Sequence, residues 1–390
     1  MDSTENKREP AVDQMSEQTL ISRLTEMPVD LREQRIQRPV DDHLGKFPTH
    51  CDIDLSTKCN LRCRFCHLSF HEPEEWTQIS YDKFLTLEPL LRHLKSISLF
   101  SKYETLTCRD LIPIFDKICE YDVETYFSTN GVLLSDDIIS ALVGRLAFLT
   151  VSITGITRES YIKNMGQDRL ETVHQNLSRL CAEKRRLKTE YPRLRVTTVC
   201  MLDNLDELCG VLDFAKEIGA EEGVRMTYLR PFGQEMADLI PASDPKKFAL
   251  AIDEAIEYAG KIGVKFEPVG GILEENENEA KELGHRKLCS IPWEGLSFQP
   301  NGDVYPCALT NTKIGNFFEE SVEEIWNGEE LAKFRSGVND PENMNEDCRN
   351  CGHCRYAPIL DPGTNEYLIN TENFWGGMKR IKNRKAKNAS

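Results

Sequence analysis

The chain has 390 residues, 40% of them hydrophobic and 29% charged, a globular composition that leaves out collagen-like, low-complexity and disordered classes. At about 150 residues per domain the length allows two or three domains, or one large α/β barrel with an appendage. With 48 basic against 64 acidic residues the formal charge is −16, so a phosphate backbone would be repelled and nucleic acid is disfavoured as a partner. No apolar run approaches the ~18 residues of a membrane span, and the polar first twenty residues lack a signal peptide's basic start and apolar centre, so a cytoplasmic protein without a membrane partner is expected.

Residues 1–46 carry mixed charge with little periodicity and read as an N-terminal extension, flexible or helical. From 47 to 235 short β-rich runs alternate with helical patterns. Cys51–Thr57 is extended, Tyr81–Leu94 helical, Ile97–Phe100 extended, Asp110–Tyr121 helical, Thr125–Thr129 extended and Asp136–Arg145 helical. Ala147–Ile153 is then extended, Leu170–Lys188 helical, Leu194–Leu202 extended, Leu205–Ile218 helical and Val224–Leu229 extended. Such alternation implies a parallel sheet with helical crossovers, and about six repeats are too few for a closed eight-fold barrel. The expected fold class is α/β, a partial, open (β/α)6 barrel followed by a Cys-rich domain. Residues 236–284 read as a connecting helical segment whose acidic stretch Glu275–Leu283 leads to the Cys-rich region, 285–358. Residues 359–390 form a tail with a basic end, Lys379, Arg380, Lys382, Arg384, Lys385 and Lys387, expected to be solvated and disordered.

Fourteen cysteines are the informative count, because a reducing cytosol turns a cysteine-rich chain towards metal binding or redox chemistry rather than disulfides. Cys51, Cys108, Cys119, Cys181, Cys200 and Cys209 sit singly in apolar segments, where cysteine is a small buried hydrophobe. The other eight fall in two groups. Cys59-Asn-Leu-Arg-Cys63-Arg-Phe-Cys66 puts three thiols on the loop after the first strand, at the carboxyl end where α/β barrels keep their chemistry. Iron–sulfur cubes are commonly held by four thiolates, so three leave one iron open to chelate a ligand. The alternative is a zinc knuckle completed by His67, although structural zinc usually takes paired C-x₂₋₄-C and four ligands.

A strand followed by CxxxCxxC, with the aromatic Phe65 before the third cysteine, resembles the cluster loop of the radical S-adenosylmethionine (SAM) enzymes. The resemblance implies a [4Fe–4S] cluster on Cys59, Cys63 and Cys66 that binds SAM at its open iron. An electron passed to that cluster from a reductant such as flavodoxin or ferredoxin would cleave SAM to methionine and a 5′-deoxyadenosyl radical that abstracts hydrogen from substrate. Ser128-Thr129-Asn130-Gly131-Val132-Leu133-Leu134 resembles the family's third strand and turn, which makes Asn130 a cofactor contact along with Phe65. Leu149–Gly155 resembles the fourth, where Ser152 would face the SAM ribose or carboxylate. The family's Gly-Gly-Glu, whose glycines let backbone carbonyls approach the SAM amino group, is Lys102-Tyr103-Glu104 here, keeping only Glu104. Thr154 stands where many relatives carry Asp.

The second group is Cys289, Cys307, Cys348, Cys351 and Cys354. Asn301-Gly302 is a hairpin signal between Leu296–Phe298 and Val304-Tyr305, so Cys289 and Cys307 flank a small hairpin and the later trio closes the site. The layout, with Phe317 to Phe334 as a helical insert, resembles the auxiliary-cluster extension called SPASM, or twitch in its shortened form. It implies one auxiliary [4Fe–4S] cluster on four of the five cysteines, the spare being one of Cys348, Cys351 and Cys354. A second, incompletely ligated cluster and a zinc ribbon are the alternatives.

An auxiliary cluster that takes an electron after hydrogen abstraction fits oxidation of an alcohol or amine carbon. In the sulfatase-maturing relatives an Asp follows the cysteine matching Cys307 and takes the proton; here it is Ala308. Arg230 and Glu235, after the sixth strand, are barrel-facing candidates without an assigned role. The 46 residues before the barrel are short for a leader-peptide-binding domain, so a small molecule such as a sugar or aminocyclitol is the first expected substrate. A ribosomally made peptide is the second, and a non-catalytic zinc-stabilised binding protein is the reading from another class.

Overall fold

The strand Arg193–Cys200 shows how the sheet is built: Leu194, Val196, Thr198 and Cys200 are buried, and the residues between them are less so. Period two places one face against helices and leaves the other to line the barrel. A computed structural model describes residues 47–73, 75–229, 232, 234–268, 289–340, 342–349, 351 and 378–380.

The strands in chain order are β1 (His50–Ile53), β2 (His71–Pro73), β3 (Ser96–Ser98), β4 (Glu124–Thr129), β5 (Phe148–Ser152), β6 (Arg193–Cys200), β7 (Val224–Tyr228), β8 (Phe266–Glu267), β9 (Gly295–Phe298), β10 (Asp303–Tyr305), β11 (Gly315–Asn316) and β12 (Met378–Arg380). Ten form one open sheet in the order β11-β10-β9-β1-β3-β4-β5-β6-β7-β8. Every neighbour from β9 to β8 is parallel, and only the pairs β9–β10 and β10–β11 of this sheet are antiparallel. The α/β partial barrel is therefore present, with β8 as a short seventh parallel strand of the barrel. One apolar core runs from Cys51 and Phe115 through Leu149 and Leu212 to Phe298 and Trp326, so barrel and Cys-rich segment share it. Each fully buried Leu, Ile or Phe of that core contributes about 1.5–3 kcal/mol.

Several elements differ from the sequence reading. The helix expected over Tyr81–Leu94 is broken into Tyr81–Phe84, a 3₁₀ turn and Glu88–Leu91, because Pro89 has no N–H to continue the ladder. A helix at Arg158–Met165, not expected from periodicity, buries only Tyr161, Asn164 and Met165. The connecting segment holds the helix Pro245–Ile262, which stops at Gly263 with φ 72°. In the tail, β12 pairs antiparallel with β2, Lys379 in register with Glu72, so these residues are a strand and not a disordered end. Residues 1–46, Glu275–Leu283, Arg230, Cys354 and the tail on either side of β12 lie outside the described residues. Among the described residues, no helix is long and apolar enough to cross a membrane.

Candidate active site at the carboxyl ends of the barrel strands

The three-cysteine loop leaves β1 and is clasped from the side by the helix Arg158–Met165. Arg64 donates from its backbone N–H to the Asn164 carbonyl (2.9 Å) and from Nε to Asn164 Oδ1 (2.8 Å), and Gln167 donates to the Asn60 carbonyl (2.8 Å). Gly166, at φ 83°, lies so close that a Cβ there would sit 2.5 Å from the Arg62 carbonyl oxygen. Inside the loop Ser69 donates to the Cys63 carbonyl (2.6 Å), and the Leu61 N–H points at Cys59 Sγ (3.5 Å). The helix exists for local reasons: Thr157 and Ser160 form a reciprocal capping box, and Gly166 takes the left-handed C-terminal cap.

Burial is the main influence on the three thiols. It pushes Cys59 up to about 12, with the Glu104 charge adding to it, and Cys66 up to about 11. Cys63 is held well above an ordinary thiol by burial and then by the charges of Cys66 and Cys59. Three partly buried sulfurs, with the Cys66 charge opposing ionisation of both Cys59 and Cys63, form a donor set suited to positive charge, since a bound metal centre reverses that preference. Among the described residues no three His, Cys, Asp or Glu side chains are grouped as a ready-made site for one metal ion, and His67 Nδ1 lies 3.6 Å from Cys66 Sγ.

Glu104 and Asn130 come together with this loop. Glu104 is buried and accepts from Thr129 Oγ1 (2.7 Å), the Asn130 N–H (2.8 Å) and the Leu106 N–H (3.3 Å). Burial raises its carboxyl above the usual range against the pull of those donors. Asn130 donates to Asn60 Oδ1 (2.8 Å) and reaches towards Cys59 Sγ (4.0 Å). Ser152 ends the next strand, β5, half-buried and in register with Thr197. Phe65 packs between the main core and a smaller cluster of Met201, Leu229, Phe232, Met236 and Ile240. Thr154 accepts the Val199 N–H at 3.1 Å, joining β5 to β6. Glu235 falls in the 3₁₀ turn Gln234–Leu239.

Beyond the sheet strands β9 and β10, side chains pin the second group. Asn339 accepts the Cys289 N–H (2.8 Å) and donates to its carbonyl (2.9 Å). Asp347 accepts from the Asn311 and Thr312 N–H groups (3.1 Å each) and from Thr312 Oγ1 (2.7 Å), which draws the segment Glu346–Arg349 onto the loop after Cys307. Burial pushes the Cys307 thiol far up, and the charges of Cys351, Cys289 and Cys348 add to it. Four cysteines thus share one neighbourhood, a donor set that again fits a cationic cluster held by thiolates. Cys51, Cys108, Cys181 and Cys200 are buried and Cys119 and Cys209 partly so, as small hydrophobes should be.

Between the two groups lies a seam that sequence reasoning missed. Asp54, just after β1, accepts from the Ser101 N–H (2.9 Å), the Lys102 N–H (3.0 Å), Ser101 Oγ and Gln299 Nε2 (3.0 Å). Lys102 is buried, with Nζ 5.3 Å from the Tyr305 ring centroid. Tyr103 turns the other way and meets His67 edge-on at 5.9 Å.

A model of the radical SAM superfamily matches residues 53–215, and one of the SPASM iron–sulfur cluster-binding domain matches 289–352, a span that holds Cys289, Cys307, Cys348 and Cys351. The chain belongs to the radical SAM superfamily. Among its relatives is the antilisterial bacteriocin subtilosin biosynthesis protein AlbA of Bacillus subtilis, 21% identical over 82% of this chain and 69% of that one. The AdoMet-dependent heme synthase of Methanosarcina barkeri is 24% identical over 78% and 88%. Of solved structures, Streptococcus suis SuiB bound to SAM superposes with a TM-score of 0.57 at 17% identity, over 80% of this chain and 72% of that one. The anSMEcpe protein with bound AdoMet gives 0.55 at 17%, over 80% and 88%. These two likenesses are of fold.

As a SPASM-containing radical SAM enzyme the protein uses a [4Fe–4S] cluster with SAM and an auxiliary cluster. The clasp from Arg158–Gly166 and the Asp54–Lys102 seam are what the sequence reading did not find. Thr157, Ser160 and Gly166 carried a legible signal for the first, in the form of caps at both ends of a helix. For the second, the only signal was two bulky residues, Lys102 and Tyr103, in place of glycines.

Proposed function

We propose that the protein oxidises a polar small molecule, removing hydrogen at the mouth of the barrel and passing an electron to the auxiliary site. Cys59, Cys63 and Cys66 hold the SAM-binding cluster, and Glu104, Asn130, Ser152 and Phe65 line the cofactor. Cys289, Cys307, Cys348 and Cys351 hold the auxiliary cluster. When bound, the reduced first cluster supplies the electron for SAM cleavage; the chain's own part is to fix the loop, order the cofactor and keep water out. The observation that carries the reading is that β9 extends the sheet directly from β1, so strands leading to both cysteine groups are adjacent. A polar substrate is supported by the hydroxyls on the inner face of the strands, Ser128 beside Thr150 and Ser152 beside Thr197.

A second reading, modification of a ribosomally made peptide, is favoured by the match to AlbA, a bacteriocin biosynthesis protein, over most of this chain. Anaerobic incubation with SAM, a reductant and candidate sugars, aminocyclitols or peptides separates the two. The first reading expects 5′-deoxyadenosine together with a sugar-type product two hydrogens lighter. Turnover of a peptide alone would replace it, and SAM-independent turnover would overturn both.

A further inference from the structure

Lys102 is a cation placed where charge is costly. It is buried at 8% exposure, in the segment that departs from the family's glycines, and its Nζ lies over the Tyr305 ring, two residues before Cys307. Its backbone is fixed from both sides of the seam, because Asp54 holds the Lys102 N–H and also Gln299, one residue beyond β9. The lysine is therefore positioned by the same carboxylate that joins the barrel to the auxiliary hairpin.

We propose that the Lys102 ammonium sets the reduction potential of the auxiliary cluster, holding it higher than a neutral side chain would. The inference rests on the function proposed above. A cube carried by four thiolates becomes more negative on reduction, and a nearby cation in a poorly solvated site favours the more negative state. Burial pulls Lys102 down to about 8, and the charges of Asp54, Cys307 and Asp347 oppose that pull. A radical left on substrate after hydrogen abstraction gives up its second electron more readily to an acceptor of raised potential.

The test is an EPR-monitored redox titration of the reconstituted holoenzyme, with SAM added to identify the signal of the first cluster. Lys102→Met and Lys102→Gln should each shift the auxiliary couple towards the oxidised form at least tenfold, about 59 mV for one electron. Lys102→Arg, which keeps the charge, should stay near wild type. An unchanged potential in the neutral variants overturns the proposal, as does a fall in Lys102→Arg equal to theirs. Loss of iron from both neutral variants while Lys102→Arg loads normally would assign the residue to assembly of the site and also overturn it. Wild-type protein without a second cluster would take down the proposed function as well, an outcome distinct from a cluster whose potential ignores Lys102.

Discussion

The first cysteine loop carries its three thiols on eight consecutive residues and is gripped by a helix of the barrel, whereas the second gathers Cys289, Cys307, Cys348 and Cys351 from distant points of a segment of short strands and helices. The grip on the first is mainly backbone and close packing: Arg64 on the Asn164 carbonyl, and Gly166 against Arg62. The grip on the second is individual side chains, Asn339 on Cys289 and Asp347 on Thr312. A loop templated by a barrel keeps its shape with or without its metal. A loop cluster held by a few side-chain bonds takes much of its stability from the metal, because binding free energy there is folding free energy.

The largest effect expected follows from the first site. Cys63→Ala should abolish SAM cleavage and remove one cluster while leaving the melting of the barrel close to wild type, measured by 5′-deoxyadenosine release, iron content and circular dichroism. Chelation of all iron sharpens the contrast. Limited proteolysis of the apoprotein should cut within 289–351 well before it cuts within 50–229, and equal protection of the two regions would break the comparison.

Next in size is Gly166→Ala. An L residue at that φ costs about 1–3 kcal/mol from backbone strain alone, and the new Cβ would overlap the Arg62 carbonyl. The expected result is loss of the first cluster with the auxiliary cluster retained. Asn339→Ala should do the converse at about 1–3 kcal/mol, since it removes the side-chain hydrogen bonds to the N–H and the carbonyl of Cys289. If either variant lost both clusters equally, the two sites would be one cooperative unit.

The barrel strands were legible because period-two burial repeats along β4, β5 and β6, and the hairpin because Asn301-Gly302 is a strong turn signal. The loop Cys59 to Cys66 was legible as chemistry because its ligands are local in sequence. What stayed hidden is non-local: the pairing of β9 with β1, nearly 250 residues apart, and the Asp54–Gln299 bond have no local pattern. Arg158–Met165 escaped because polar residues dominate it and its caps, not its periodicity, define it. The helical break at Pro89 was a visible signal that the apolar spacing outweighed.

The smallest expected effect is the most discriminating for the first site. If Glu104 meets the cofactor as proposed, Glu104→Gln should weaken SAM binding about tenfold, the worth of a modest charged hydrogen bond, with iron content unchanged. The pH dependence carries two opposite signs. Glu104 has a folded carboxyl raised above its unfolded value by burial, so its ionised form is the costly one for the fold. Relative to Glu104→Gln, wild-type apoprotein should therefore be most stable below the unfolded carboxylate range and lose that advantage as pH rises through the raised value. On the proposed role, SAM held through its ammonium needs the ionised carboxylate, so affinity should rise with pH over the same window and flatten in Glu104→Gln. Thermal melts and equilibrium binding across that window measure both trends. Parallel trends, or a wild-type affinity as flat as the variant's, would show that Glu104 only ties Thr129 and Asn130 to the loop after β3 and does not meet the cofactor.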